Sequence, residues 1–107
     1  MTYYTVQLPS SDDLEEVTAT LTAGNSQFAC TFIWETDELS EDYHHWIVLI
    51  ENLSSDTEET RSFTLYPNTW HFVGDTEYTV YIESELEEIG LSSLDDVAMS
   101  IGVNEDD

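Results

Sequence analysis

Three histidines, His44, His45 and His71, are the side chains of this sequence best suited to metal or acid–base chemistry. His44 and His45 are adjacent, and neighbouring side chains of a β-strand point to opposite faces of the sheet. The two imidazoles therefore cannot ligate one metal ion without a bulge between them. The pattern favours solvated or capping histidines at the entrance of a strand, and we predict no metal site.

Carboxylates are abundant, but their spacing matches no catalytic or calcium-binding pattern. Among the adjacent acidic residues, Asp12-Asp13, Glu15-Glu16, Glu58-Glu59 and Asp95-Asp96 are the candidate cation-binding pairs. None of these pairs has the Asp-x-Asp-x-Asp-Gly spacing of a calcium loop, so diffuse counterion binding is the better interpretation. The sequence also lacks a G-x-S-x-G elbow and a glycine-rich phosphate loop. We therefore predict no catalytic residue and no cofactor, and hence a protein that is not an enzyme.

Cys30 is the only cysteine, so the chain cannot form an internal disulfide. It falls in an apolar stretch, and no basic group close to it in the sequence would lower its pKa. We predict an inert, buried thiol.

Charge is the most unusual property of the chain. Its 107 residues include 24 Asp and Glu against a single basic residue, Arg61, for a formal net charge of -23. A typical soluble surface mixes both signs. A disordered acidic tail does not explain the composition, because 40% of the residues are hydrophobic and their periodicity is that of strands. With one arginine and no lysine, direct binding of nucleic acid is excluded as well.

Two explanations of the charge remain open. In a high-salt cytoplasm the Debye length shortens to about 3 Å at 1 M salt, so self-repulsion no longer unfolds a carboxylate-coated surface. Alternatively, the carboxylates stand in for the phosphates of DNA and compete for a basic groove on another protein. The acids occur in almost every predicted loop, as a coat rather than a stripe, which fits salt adaptation slightly better.

Hydrophobic periodicity predicts short strands organised around one central pair. Residues 27–34 and 44–50, joined by the acidic loop TDELSEDY, are apolar on both faces, which is typical of strands covered by a layer on each side. Further strands are predicted at residues 3–8, 17–22, 62–66, 78–82 and 97–103, with a short extended piece at 69–73. The segment AGNS, residues 23–26, predicts the turn of a hairpin.

Little helix is expected. Ser84 and Glu87 have capping-box spacing and Gly90 is a suitable C-terminal cap, which indicates one short helix near residues 84–90. The predicted fold class is mainly β, a small antiparallel sandwich or barrel of six to eight short strands in one domain, residues 1–107. No apolar run reaches the length of a membrane span, and residues 1–9 lack the features of a signal peptide.

Four segments in order carry a resemblance to a known family. YYTVQLP ends a strand in Leu-Pro, VTATLTAGNSQFACTFIW is a hairpin, HHWIVLIENL is a strand with a tryptophan, and RSFTLYPN ends in an apolar-x-Pro element. This order, over residues 4–73, resembles the baseplate plug-like proteins, small β domains of phage tails. The chain departs from their pattern in the loop SSDTEETR, where a glycine is usual, and in its additional residues 74–107. The resemblance implies a structural role in the virion, with no catalytic residue to transfer.

Composition and resemblance together predict a halophilic structural component of a viral tail or baseplate. The expected partners are other virion proteins, in a homo-oligomer or other multi-copy assembly, without a membrane. The candidate interface residues are Tyr3, Tyr66 and Trp70, together with the sole cation, Arg61. The alternative is an acidic DNA mimic in the host cytoplasm, inhibiting a nuclease or another nucleic-acid-binding defence protein and therefore binding a basic partner.

Overall fold

The computed structural model describes residues 2–12, 14–37, 40–54, 60–71 and 78–103. The strands within these ranges are β1 (Thr2–Gln7), β2 (Glu16–Ala23), β3 (Ser26–Asp37), β4 (Ser40–Asn52), β5 (Thr60–Thr64), β6 (Thr69–His71), β7 (Tyr78–Glu83) and β8 (Ala98–Val103). A single turn of 3₁₀ helix, Leu94–Asp96, precedes β8. The prediction of a mainly β fold is confirmed.

The strands form two four-stranded antiparallel sheets. Sheet I has the order β1-β8-β7-β6, and sheet II has the order β2-β3-β4-β5. The chain enters sheet I, builds all of sheet II, and returns to sheet I for its last three strands. Of the two predicted architectures, sandwich or barrel, the layout is that of a sandwich.

The core lies between the inner faces of the two sheets. Sheet II contributes alternate residues of its two middle strands, and sheet I does the same from β7 and β8, as the two-residue repeat of a strand requires. The buried side chains include Phe28, Cys30, Phe32, Trp46, Val48 and Ile50 from sheet II and Val80, Ile82, Met99 and Ile101 from sheet I. The rings of Phe28 and Tyr78 meet edge to face across the two sheets, with their centroids 4.9 Å apart.

The predicted hairpin of β2 and β3 is confirmed. Ala23 pairs with Ser26, which leaves Gly24 and Asn25 as the two turn residues. Gly24 has a φ of 62°, the left-handed region that a type II′ turn assigns to its first central residue and that glycine adopts without strain.

The predicted acidic loop between β3 and β4 is largely strand, so that part of the prediction is wrong. Pairing continues through Thr36 with His44 to Asp37 with Ser40, with a shift of register between Thr36 and Asp37. Ladder hydrogen bonds use only backbone groups, so the polarity of the side chains does not by itself end a strand. Residues 38 and 39 lie outside the described part of the chain.

The central pair β3 and β4 is flanked by β2 and β5, but it is not covered on both faces as predicted. Its inner face packs against sheet I, whereas Ile33, Ile47 and Leu49 on its outer face are only half-buried. Ile33 and Ile47 are directly paired and shield one another in part. The physical reason is the number of layers. The described strands form two sheets, so each sheet has one face covered by the other sheet and one face without such a cover.

The predicted helix near residues 84–90 is also wrong, because this segment is a series of bends. The hydroxyl of Ser84 does accept a hydrogen bond from the backbone N–H of Leu86, at 3.1 Å, but no helical turn follows it. One or two turns of isolated helix gain too little to offset the cost of nucleation. The bent, irregular backbone instead places Ile89 in the core.

Residues 84–97, here called the connector, are held to the sheets by uncharged donors. Each donor is a side chain outside the connector, and each acceptor is a backbone carbonyl within it. The bonds are Gln7 Nε2 to Asp95 O (2.6 Å), Ser11 Oγ to Leu91 O, Trp46 Nε1 to Gly90 O (3.0 Å) and Asn68 Nδ2 to Ser84 O (3.4 Å). Gln7 belongs to β1 of sheet I and Trp46 to β4 of sheet II, so the connector is hydrogen-bonded to both sheets.

The remaining strand predictions differ from the structure only at their ends. The extended piece at 69–73 is β6 as far as His71, and residues 72 and 73 lie outside the described ranges. After β1, Asp12 lies in a turn with a φ of 49°, and the Leu14 N–H donates to Ser11 O at 2.8 Å.

Neighbouring residues of β4 test which face is covered. Ile50 is fully buried and Leu49 half-buried, so Ile50→Ala should lower the free energy of unfolding by about 2–5 kcal/mol. Leu49→Ala should cost about 1 kcal/mol or less. Urea unfolding in molar KCl would measure both losses. Equal losses would mean that the outer face of sheet II is as well covered as the inner one.

Candidate interaction surfaces

Three aromatic side chains form a cluster on the outer face of sheet I: Tyr3, Trp70 and Tyr81, here called the aromatic cluster. Tyr3 and Trp70 meet edge to face with ring centroids 6.0 Å apart and an interplanar angle of 78°. Trp70 and Tyr81 are closer, with centroids 4.6 Å apart and planes tilted by 43°. Tyr3 and Trp70 each remain 52% exposed, although Trp and Tyr bury most of their surface in the interior of a protein.

The order of strands in sheet I brings these rings together. Trp70 and Tyr81 are paired across β6 and β7, whereas Tyr3 lies at the opposite edge of the sheet, in β1. Gly102 and Thr79 lie in register with Tyr3 on the two intervening strands, and both are buried. Their small side chains leave the space that the larger rings occupy above the middle of the sheet.

The aromatic cluster contains two of the four predicted interface residues and one that sequence reasoning missed. Tyr3 and Trp70 were predicted as separate exposed aromatics, and the structure places them in contact. Tyr81 was overlooked because its strand was read from the inward side chains at 78, 80 and 82. The sequence did indicate its position, because successive side chains of a strand alternate between faces. Tyr81 therefore points to the face opposite to that of the buried residues 78, 80 and 82.

The other two predicted residues, Tyr66 and Arg61, lie elsewhere. Arg61 is half-buried in β5, in register with Ile50, and it interacts with other groups of the chain. Tyr66 follows β5 and is 52% exposed. Of the four candidates, Tyr3 and Trp70 are the pair whose side chains the structure places in ring contact.

Tyr66 lines a pocket of about 200 Å³ at one end of sheet II. The pocket is formed by the start of β4, the residues after β5 and part of the connector. Its lining residues are His44, His45, Leu65, Tyr66, Pro67, Glu87, Glu88 and Ile89. Leu65 and Ile89 are buried at its base, while Tyr66 and both glutamates are exposed at its mouth.

Trp46 of β4 makes two hydrogen bonds that hold the walls of this pocket together, one to the connector and one to the residues after β5. The indole Nε1 of Trp46 donates to Gly90 O at 3.0 Å, which holds the connector against β4. The N–H of Leu65 donates to Trp46 O at 2.9 Å, which holds the residues after β5. The ring of His44 stacks on Trp34 with centroids 5.9 Å apart and an interplanar angle of 8°.

The histidines are separated as predicted for adjacent positions of a strand. His44 is exposed, His45 is buried, and His71 stacks on Phe63 in another part of the molecule, with ring centroids 4.2 Å apart. Across the described ranges, no three His, Cys, Asp or Glu side chains are grouped so that they could hold a metal ion.

The thiol of Cys30 is buried in the core, as predicted. Burial raises its pKa to about 12, because the thiolate would lie in an apolar environment without a counter-charge. The neutral thiol is a weak nucleophile, so Cys30 serves packing.

None of the helical segments in the described part of the chain has the length or apolar character needed to cross a lipid bilayer.

Comparison of the chain with protein-family models, curated proteins and solved structures gives no match. What the two surfaces bind must therefore be argued from the residues that form them.

Burial of Cys30 predicts that the folded protein resists thiol reagents. At pH 8 in molar KCl, DTNB should not label the thiol at a rate above that of unfolding, and labelling should become complete in urea. Absorbance of the released thionitrobenzoate measures the rate. Rapid, stoichiometric labelling of the folded chain would contradict the buried position.

Burial also lowers the pKa of His71 below its ordinary value of 6.5, because the imidazolium would lose hydration beside Phe63. Below pH 6.5 the unfolded chain therefore binds a proton that the folded side chain takes up only at lower pH. Protonation of the unfolded chain therefore lowers the free energy of unfolding as the pH falls below 6.5, and this loss is absent above pH 6.5.

The variants His71→Gln and His44→Gln isolate this effect from the protonation of the many carboxylates. Between pH 7 and pH 5, the free energy of unfolding of the natural chain should fall relative to that of His71→Gln. His44→Gln, which changes an exposed histidine, is the control for the loss of an imidazole. Parallel curves for all three proteins would show that His71 has no lowered pKa.

Proposed function

We propose that the protein is a structural component of a tailed virus particle, in the tail or baseplate, that acts by assembling with other proteins and catalyses no reaction. The observation that carries the proposal is the aromatic cluster. Exposed Trp and Tyr side chains in mutual contact are the residue types that dominate the binding energy of protein interfaces. The resemblance of residues 4–73 to the baseplate plug-like proteins supports the viral setting.

The charge of the chain supports salt adaptation of this assembly. Copies with a formal charge of -23 repel one another at low ionic strength, which opposes any contact between their aromatic clusters. At molar salt the repulsion is screened beyond about 3 Å, and the apolar contact remains. Assembly would then become stronger as the salt concentration rises, whereas a complex held together by opposite charges would become weaker.

The second candidate is an acidic DNA mimic that inhibits a nuclease or another nucleic-acid-binding defence protein. It is supported by the shortage of cations, since an almost purely anionic surface is what a basic groove attracts. Such a protein would be a compact monomer or dimer in dilute buffer, and salt would weaken its binding.

The variant Trp70→Ala tests the proposal through its assembly. In a series from dilute buffer to molar KCl, light scattering of the natural chain should show an ordered oligomer that forms only at high salt. Trp70→Ala should abolish or strongly weaken this oligomer, because it removes the central ring of the cluster, while circular dichroism stays unchanged.

Leu53→Ala is the matched control, since Leu53 is similarly exposed, at 49%, but lies outside the cluster. It should assemble like the natural chain. A chain that is compact, stable and monomeric at every salt concentration would overturn the proposal and favour the DNA mimic.

A further inference from the structure

We propose that the pocket beside Tyr66 receives an arginine side chain from a different, basic protein. This inference rests on the proposed function to the extent that the protein acts by binding other proteins. It concerns a surface separate from the aromatic cluster, and it specifies the chemistry of the partner.

The size of the pocket points to a single side chain. Pockets that bind small molecules or cofactors usually have volumes of about 300–1,000 Å³. At about 200 Å³ this pocket is smaller, and it lies open at a surface rather than enclosed in the core. One long side chain inserted from a neighbouring protein would fill it.

From its base to its mouth, the pocket offers partners first for the methylene groups of an arginine side chain and then for its guanidinium group. Buried Leu65 and Ile89 at the base, with half-buried Pro67, offer apolar contacts to the methylene groups. The exposed ring of Tyr66 at the mouth offers a face on which a guanidinium can stack.

The carboxylates supply the charge that the guanidinium requires. Glu87 and Glu88 are exposed at the mouth, where they can accept charge-assisted hydrogen bonds without first being desolvated. A lysine ammonium would use the carboxylates but not the planar stacking surface, so arginine is the better fit.

The chain's own composition requires that this arginine come from another protein. The sequence has one arginine and no lysine, and Arg61 is half-buried and already engaged within the chain. A second copy would have to break the surroundings of Arg61 to fill the pocket. A basic partner fills it directly and reduces the negative charge of the surface. Salt weakens attraction to the exposed carboxylates at the mouth, but it does not weaken the apolar contacts at the base.

The test uses the full chain and a capped Gly-Arg-Gly tripeptide as the probe. Two-dimensional ¹H–¹⁵N NMR in KCl at which the chain is folded should show saturable shifts confined to residues 44–45, 65–67 and 87–90. The same tripeptide with citrulline, which has nearly the shape of arginine but no charge, should give none of these shifts. Shifts spread evenly over the acidic residues, equal binding of citrulline, or no saturable shift would overturn the inference.

Two double variants with the same change in charge separate the pocket from the general acidity. Glu87→Gln with Glu88→Gln should weaken binding of the tripeptide by about threefold or more. Glu83→Gln with Glu85→Gln, which changes two exposed glutamates that do not line the pocket, should change it much less. Equal weakening would reduce the interaction to diffuse attraction and contradict the proposal.

The outcome can be told apart from that of the proposed function. Salt-dependent assembly is read from the Trp70 variant and needs no arginine, whereas the NMR titration needs no assembly. Binding of the tripeptide without assembly would leave the pocket established and the structural role refuted. Assembly without tripeptide binding would support the structural role and refute the arginine-binding pocket.

Discussion

Repulsion among carboxylates is the constraint on which the rest of this structure depends. A chain with 24 acidic residues and one arginine has almost no means of neutralising itself. The net stability of a domain is only about 5–15 kcal/mol, a small difference between large terms, so self-repulsion on this scale removes a substantial part of it. The fold must gain its stability from interactions that do not require a cation.

Two features of the structure meet this requirement. The first is an apolar core between the two sheets, whose largest buried side chains include Trp46, Phe28 and Phe32. The second is the set of neutral hydrogen bonds that hold the connector, donated by serine, glutamine, asparagine and tryptophan side chains to backbone carbonyls. None of these four donors carries a charge. Here Trp46 serves both features, since its ring lies in the core and its indole N–H reaches Gly90.

Much of the fold could be predicted from the sequence because the two-residue period of its strands is plain. β2, β7 and β8 alternate clearly, and their predicted positions lie within a residue or two of those observed. The extension of β3 and β4 through the acidic hairpin was missed, because side-chain polarity was taken to end a ladder that only the backbone forms. Residues 84–90 of the connector were predicted to be a short helix, because their actual shape depends on donors that are distant in sequence.

The surfaces were harder to predict than the strands. Tyr3 and Trp70 were predicted as surface aromatics, but their contact follows from the placement of β8 and β7 between β1 and β6, which no local pattern indicates. The pocket beside Tyr66 was not foreseen, because its lining comes from three separate stretches of chain. In the two proposals, this anionic protein binds others through the aromatic cluster and through the acid-rimmed pocket beside Tyr66.

The most direct test of this account is the free energy of unfolding as a function of salt. Urea unfolding, followed by fluorescence of the tryptophans, can be measured in a KCl series from dilute buffer to several molar. If repulsion among carboxylates is the dominant cost of folding, the free energy of unfolding must rise steeply with KCl and level off once the charges are screened. A free energy of unfolding that is already high in dilute buffer and unchanged by salt would contradict the account.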